Sequence, residues 1–119
     1  MQVLVVDDDA LSGEMVAAVL EAQGYQPVIA DSAVDGMAQL NAHPEIRLII
    51  SDMNMPLING IEFFRELRDQ GSSLPFILLS GDDPVTARQQ ESGLSACIMK
   101  DFSLDESLPS IVRDVLDAQ

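Results

Sequence analysis

The sequence predicts an α/β domain in which a parallel sheet carries helices on both faces. Three observations lead there. Five short apolar runs alternate with five more polar stretches along 119 residues. The first, third and fourth runs are almost continuously apolar, as strands covered on both faces should be. The stretches between them repeat their apolar residues at helical spacing. The length suits one domain, 1–119, with a single core, and no linker, repeat or low-complexity segment divides it.

In chain order, the first strand is expected at Gln2 to Val6. A helix follows with Leu11, Met15, Val19 and Ala22 on one face, and Gly24 is its stop signal. The second strand, Gln26 to Ala30, is weak. The next helix runs from Ala33 to Ala42, with Val34, Met37 and Leu40 inward and Asp31 or Ser32 as cap. The third strand spans Ile46 to Ser51. Ile61, Phe64 and Leu67 line a helix that starts after the Asn59-Gly60 turn and ends before Gly71. The fourth strand is Pro75 to Leu79. A short polar helix is expected over Pro84 to Ser92, capped by Asp82 or Asp83 and anchored by Val85. The last strand is Ser95 to Met99. The final helix carries Leu104, Leu108, Ile111, Val112, Val115 and Leu116, with Ser103 and Glu106 spaced as a capping box and Pro109 near its start.

Twenty acidic against six basic residues give a net charge of −14, which argues against a grip on nucleic acid or on an anionic membrane. No apolar run approaches the roughly 20 residues of a membrane helix. Met1-Gln2-Val3 places no basic segment ahead of the first apolar run, so a secretory signal is not expected and the cytoplasm is the expected address. The lone cysteine, Cys97, lies in an apolar run and reads as a small buried hydrophobe.

Right-handed crossovers bring functional groups to the carboxyl ends of parallel strands. There the first run delivers Asp7 and Asp8, the third Asp52, the fourth Ser80 and the fifth Lys100. Three carboxylates and an ammonium at separate strand ends hold a core poorly. They suit a divalent cation and an incoming phosphoryl group, because hard oxygen donors satisfy magnesium and a nearby cation neutralises the transferring charge. Carboxylates this close should also raise the proton affinity of at least one of them.

Laid out this way, the chain resembles the receiver domain of two-component response regulators. Val5-Val6-Asp7-Asp8-Asp9 resembles the family's opening acidic motif. Ser51-Asp52-Met53-Asn54-Met55-Pro56, continuing to Asn59-Gly60, resembles its phosphoacceptor motif. Leu78-Leu79-Ser80-Gly81 matches the fourth strand, and Gly93 followed by Lys100 matches the end of the domain. The resemblance covers essentially the whole chain, with order and spacing matched together. It implies a flavodoxin-like (βα)5 fold with strand order 2-1-3-4-5. It also implies that Asp52 is phosphorylated by a histidine kinase or histidine phosphotransfer protein. Asp8 would ligate Mg2+ (or Mn2+) directly and Asp7 mainly through water, with Asp52 and the backbone carbonyl of Asn54 completing the protein's share. Ser80, with Gly81 beside it, would hydrogen-bond the phosphoryl group, and Lys100 would pair with it. Asn54 and Asp82 hold the two positions that tune the phosphorylated lifetime. Such a domain catalyses its own phosphorylation and dephosphorylation and is not a conventional enzyme. The resemblance also admits an effector domain in a longer protein, and a homodimer.

Three departures stand out. Asp101 follows Lys100 where the family usually has proline, so a trans bond and a remodelled loop are expected, with Asp101 competing for the lysine's charge. Cys97 replaces the aromatic residue that changes rotamer on activation, which makes it an atypical switch position. The interval from Ser80 to Gly93 is about two residues short, in the loop and helix the family often uses for output, where few anchors predict a marginal helix. The competing reading is a pseudo-receiver that serves protein interaction or dimerisation with little phosphotransfer. A flavin-binding relative is disfavoured, since three aspartates in the first loop would repel a flavin phosphate.

Overall fold

The computed structural model describes residues 1–81, 90–91, 93–101 and 103–118. In order, these form β1 (Gln2–Val6), α1 (Ala10–Ala22), β2 (Gln26–Ala30), α2 (Ala33–Ala42), β3 (Ile46–Asp52), α3 (Gly60–Asp69), β4 (Phe76–Ser80), β5 (Ala96–Met99) and α4 (Leu104–Asp117). The strands pair in parallel in the order β2-β1-β3-β4-β5. Strand limits differ from expectation by a residue or so: β3 extends to Asp52 and β4 to Ser80. Apart from Gln90 and Glu91, the expected helix over Pro84 to Ser92, with Asp82, Asp83 and Val85, lies outside the described residues.

Alternation along buried strands divides the core in two. Val3 and Val5 of β1 face one side with Val16 and Leu20 of α1 and Leu108, Val112 and Val115 of α4. Leu4 and Val6 face the other, with Ala33 of α2 and Ile61, Phe63, Phe64 and Leu67 of α3. The Phe76 ring meets Phe63 and Phe64 edge-on, at centroid distances of 5.8 and 5.3 Å. Such pairs add about 0.5–1.5 kcal/mol each beyond area burial.

The expected inward residues of α3 are all buried, and its Asn59–Glu62 capping box is formed in both directions. In α2, Ser32 is the cap, accepting from the Asp35 amide; Met37 and Leu40 pack partly inward, but Val34 is exposed. α1 departs further. Gly13, Val16, Ala17 and Leu20 are its buried residues, whereas Leu11 and Met15 are 68% and 62% exposed and Ala22 also faces solvent. The helix is apolar on more than one stripe, so periodicity alone could not choose between them. Packing selects the stripe with small residues: a Cβ on Gly13 would lie 3.6 Å from the Asp7 Cβ and 3.7 Å from the Ile29 side chain.

Ser103 precedes α4 as expected but makes no side-chain cap bond, so the capping box with Glu106 is absent. Its hydroxyl instead donates to the Asp101 carboxylate at 2.8 Å. Pro109 lies inside the helix, which begins at Leu104. As the sixth helical residue it withholds an interior bond to the Asp105 carbonyl. No described helix is long and apolar enough to cross a membrane.

Candidate functional site

The carboxyl ends of β1, β3, β4 and β5 converge on one edge of the sheet, and the register explains how. Val6 pairs with Ser51, Asp52 with Leu79, and Ser80 with Met99, so the next residues, Asp7 and Lys100, leave their strands beside Asp52. Asp7 and Asp52 are buried and Asp8 is exposed. One carboxylate oxygen from each of the three lies within 4.8 Å of the others. Lys100 Nζ donates to Asp7 Oδ2 at 2.9 Å and lies 3.4 Å from Asp52 Oδ2.

Burial pushes the Asp52 carboxyl above its ordinary value, and the Asp7 charge adds to the shift. The Lys100 charge and hydrogen bond and the Asn54 amide oppose it without cancelling it. The expected rise in proton affinity therefore falls on Asp52, with desolvation ahead of like-charge repulsion as its cause. Burial works against the Lys100 ammonium, but the hydrogen bond to Asp7 and the charges of Asp52 and Asp7 outweigh it and raise its pKa. The lysine is thus a fixed cation at neutral pH.

The loops holding these groups are tied down locally. Asp9 caps α1, accepting from the Leu11 amide at 3.0 Å and more distantly from Ser12, while its own amide donates to Asp7 Oδ1 at 2.9 Å. In the sequence Asp9 stands only as the third member of the opening acidic motif. Its position just before a helical repeat was the available cap signal. Gly60, read from the sequence as a turn and as the end of the phosphoacceptor motif, also packs against the acceptor loop. A Cβ there would sit 2.6 Å from the Asp52 carbonyl and 2.5 Å from the Leu78 side chain. The Gly60 amide donates to the Met53 carbonyl at 2.9 Å, so α3 begins hard against the Asp52 loop. Between them, Leu57 takes a left-handed φ of 69° and is 99% exposed.

The remaining expected residues are placed as follows. Ser80 is buried at the end of β4, its carbonyl accepting from the Lys100 amide at 2.8 Å. Gly81 is exposed, and a Cβ there would meet nothing within 4 Å. Asn54 is exposed two residues past Asp52. Cys97 is half-buried on β5 against the α2–α3 side of the core. Asp82 lies outside the described residues. Among the described residues no cis peptide bond occurs, so the Lys100–Asp101 link is trans as expected. The expected competition by Asp101 does not occur: Lys100 pairs with Asp7 and Asp52, while Asp101 accepts from the amide and hydroxyl of Ser103.

Three carboxylates presenting hard oxygens to one point suit a divalent cation that keeps part of its water shell. The acidic cluster therefore fits a divalent metal.

Comparison with known proteins agrees with this geometry. Residues 3–112 match the response regulator receiver domain. The chain is 33% identical over 107 residues to the sensor histidine kinase RcsC of Escherichia coli K12, covering 88% of this chain and 11% of that protein. It is 34% identical over 114 residues to a probable transcriptional regulatory protein of Picosynechococcus, covering 88% of this chain and 45% of the other. The chain thus spans only a part of these curated relatives. Among solved structures, a putative two-component response regulator/GGDEF domain protein superposes with a TM-score of 0.89 at 34% identity, over 99% of this chain and 49% of that one. The response regulator TrrA of Thermotoga maritima, solved in complex with Mg(2+)-BeF, superposes with a TM-score of 0.84 at 25% identity, over 96% and 97%. With its acidic cluster and lysine at one sheet edge, and its match over nearly its full length, this chain belongs to the response regulator receiver domain family.

Proposed function

We propose that Asp52 is the phosphoacceptor and that the domain is a phosphorylation-driven switch fed by a histidine kinase or histidine phosphotransfer protein. The observation that carries this reading is a buried carboxylate held 3.4 Å from a lysine ammonium and beside two further carboxylates. In the transfer, an Asp52 carboxylate oxygen attacks phosphorus as the bond from phosphorus to the donor's imidazole nitrogen breaks. The electron pair leaves with that nitrogen. Lys100 is placed to follow the charge moving onto the phosphoryl oxygens, and Ser80 stands at the neighbouring strand end to donate a hydrogen bond. Asp8, Asp7, Asp52 and the Asn54 carbonyl would hold Mg2+ or Mn2+, and TrrA, solved with Mg(2+)-BeF, supports magnesium. When bound, the cation supplies neutralisation of the phosphoryl oxygens. Asn54 and Asp82 would set how readily water reaches the acyl phosphate.

The exposed stripe of α1 supports a protein as phosphodonor. Leu11 and Met15 leave the site end of α1 and Leu57 projects from the loop after Asp52, so apolar side chains flank the acceptor without being needed by the core.

Incubation with a small phosphodonor and magnesium should add one phosphoryl mass to the protein. Asp52→Asn should abolish the gain, and Asp8→Ala should abolish both the gain and the response of the site to metal titration. An unphosphorylated parent, or an equally phosphorylated Asp52→Asn, rules the reading out in favour of an interaction module. Unchanged metal binding in Asp8→Ala rules out the ligand assignment.

A further inference from the structure

The ammonium of Lys100 is aimed by its ion pairs, but its backbone needs a separate anchor, because β5 ends one residue earlier at Met99. On the upstream side the Lys100 amide donates to the Ser80 carbonyl at 2.8 Å. Downstream, Asp101 folds the chain back. Its Oδ1 accepts from the Ser103 amide at 2.9 Å and from the Ser103 hydroxyl at 2.8 Å, and its carbonyl accepts from the Leu104 amide at 3.2 Å. This is an Asx turn, in which a short carboxylate takes a place that a backbone acceptor would otherwise fill. It also takes the Ser103 hydroxyl that would otherwise be available to cap α4.

We propose that Asp101 is a positioning residue for Lys100. Its side-chain acceptor closes the turn that holds the lysine's backbone at the sheet edge, so that the ammonium stays between Asp7 and Asp52. Asp101 acts as a hydrogen-bond acceptor and not as a charge: the carboxylate turns to Ser103 and makes no ion pair with Lys100. The two Ser103 donors, the hydroxyl first, hold its pKa below the ordinary carboxylate value and keep the acceptor ionised at neutral pH. The importance of Lys100 in this inference rests on the proposed phosphoacceptor role of Asp52, but its placement is testable apart from that role.

Lys100 is the chain's lone lysine, so acylation by an amine reagent, mapped to the peptide that contains it, reports its release from the Asp7 and Asp52 pairs and its access to solvent. In chelator, Asp101→Ala should raise the acylation rate of Lys100 by about 3- to 10-fold, the scale of two exposed hydrogen bonds lost together. Asp101→Asn retains the acceptor and should stay near the parent. Ser103→Ala removes one of the two donors and should give a smaller rise. Phosphorylation by a small phosphodonor should fall in the same order, slowest in Asp101→Ala and restored in Asp101→Asn. An Asp101→Ala protein acylated at the parent rate overturns the proposal. So does an Asp101→Asn protein that behaves like Asp101→Ala, since that would make the charge decisive. Should Asp101→Ala fold poorly, Ser103→Ala acylated at the parent rate overturns it equally. A parent that takes up no phosphoryl group removes the phosphoacceptor reading while the acylation rates still decide the role of Asp101.

Discussion

α3 and α1 lie on opposite faces of the same sheet, and they spend their apolar residues differently. α3 buries Ile61, Phe63, Phe64 and Leu67 and turns charged residues outward, with Arg68 stacked 4.4 Å over the Phe64 ring. α1 buries Val16, Ala17 and Leu20 but leaves Leu11 and Met15 in solvent. One helix is a structural wedge with a single apolar stripe; the other is apolar on two sides and has a face to spare. Both begin at the site, through Gly60 against the Asp52 loop and through Asp9 against Asp7. The difference suggests that α3 holds the acceptor loop in place while α1 offers a surface to what approaches it.

Substitutions on the two helices should separate these roles. Phe63→Ala empties a fully buried site in contact with Phe76 and should cost about 3–5 kcal/mol in denaturant melts. A loss below about 1 kcal/mol would mean that α3 is not the wedge described. Gly60→Ala forces a methyl into the Asp52 carbonyl and the Leu78 side chain and should cost about 1–3 kcal/mol. It should also slow phosphorylation of the folded fraction; full activity in a destabilised protein would detach α3 from the acceptor loop.

Asp52→Asn tests the site between the helices. Since folding raises the Asp52 pKa, the folded chain binds that proton more tightly than the unfolded one. Its contribution to stability is present at acid pH and is lost as pH rises through the folded value. In chelator, the asparagine variant should therefore match the parent near pH 4 and become the more stable protein toward pH 7, by on the order of 1 kcal/mol. A variant less stable than the parent at pH 7 would show that the Lys100 pairing outweighs desolvation. The smallest stability change is expected from Leu11→Ser with Met15→Ser, within about 0.5 kcal/mol of the parent. Yet this pair should slow transfer from a protein phosphodonor while leaving phosphorylation by a small phosphodonor intact. Equal slowing of both would place the defect in the site and not on the surface of α1.

The elements that were legible in the sequence are those whose signals agree. The runs ending at Val6, Ser51 and Leu79 are almost continuously apolar and followed by polar groups, so strands and site emerged together. α3 was equally plain, with one stripe, a start at the Asn59-Gly60 turn and a stop before Gly71. α1 was not, because Leu11, Met15 and Val19 form as good a stripe as Val16 and Leu20; only packing in the folded chain chooses between them, burying Gly13, Val16, Ala17 and Leu20. Ser103 and Glu106 had the right spacing for a capping box, but spacing does not reveal that Asp101 takes the serine's hydroxyl first. The ranking of causes at Asp52 was hidden for a similar reason, since the charges can be listed from sequence and the depth of burial cannot.

The pairing of Lys100 with Asp7 spans 93 residues and joins nearly opposite ends of the chain. β5 reaches the sheet only through β4, so the lysine arrives with the outermost strand on that side. Long-range closures of this kind are slow, and a growing chain cannot make them until its last strand has emerged. A nascent or partly unfolded chain can therefore possess its three aspartates in order and still lack their counter-cation. Competence to receive a signal is in this way withheld until the sheet is complete, which makes the charge pair a report on finished folding as well as a part of the chemistry.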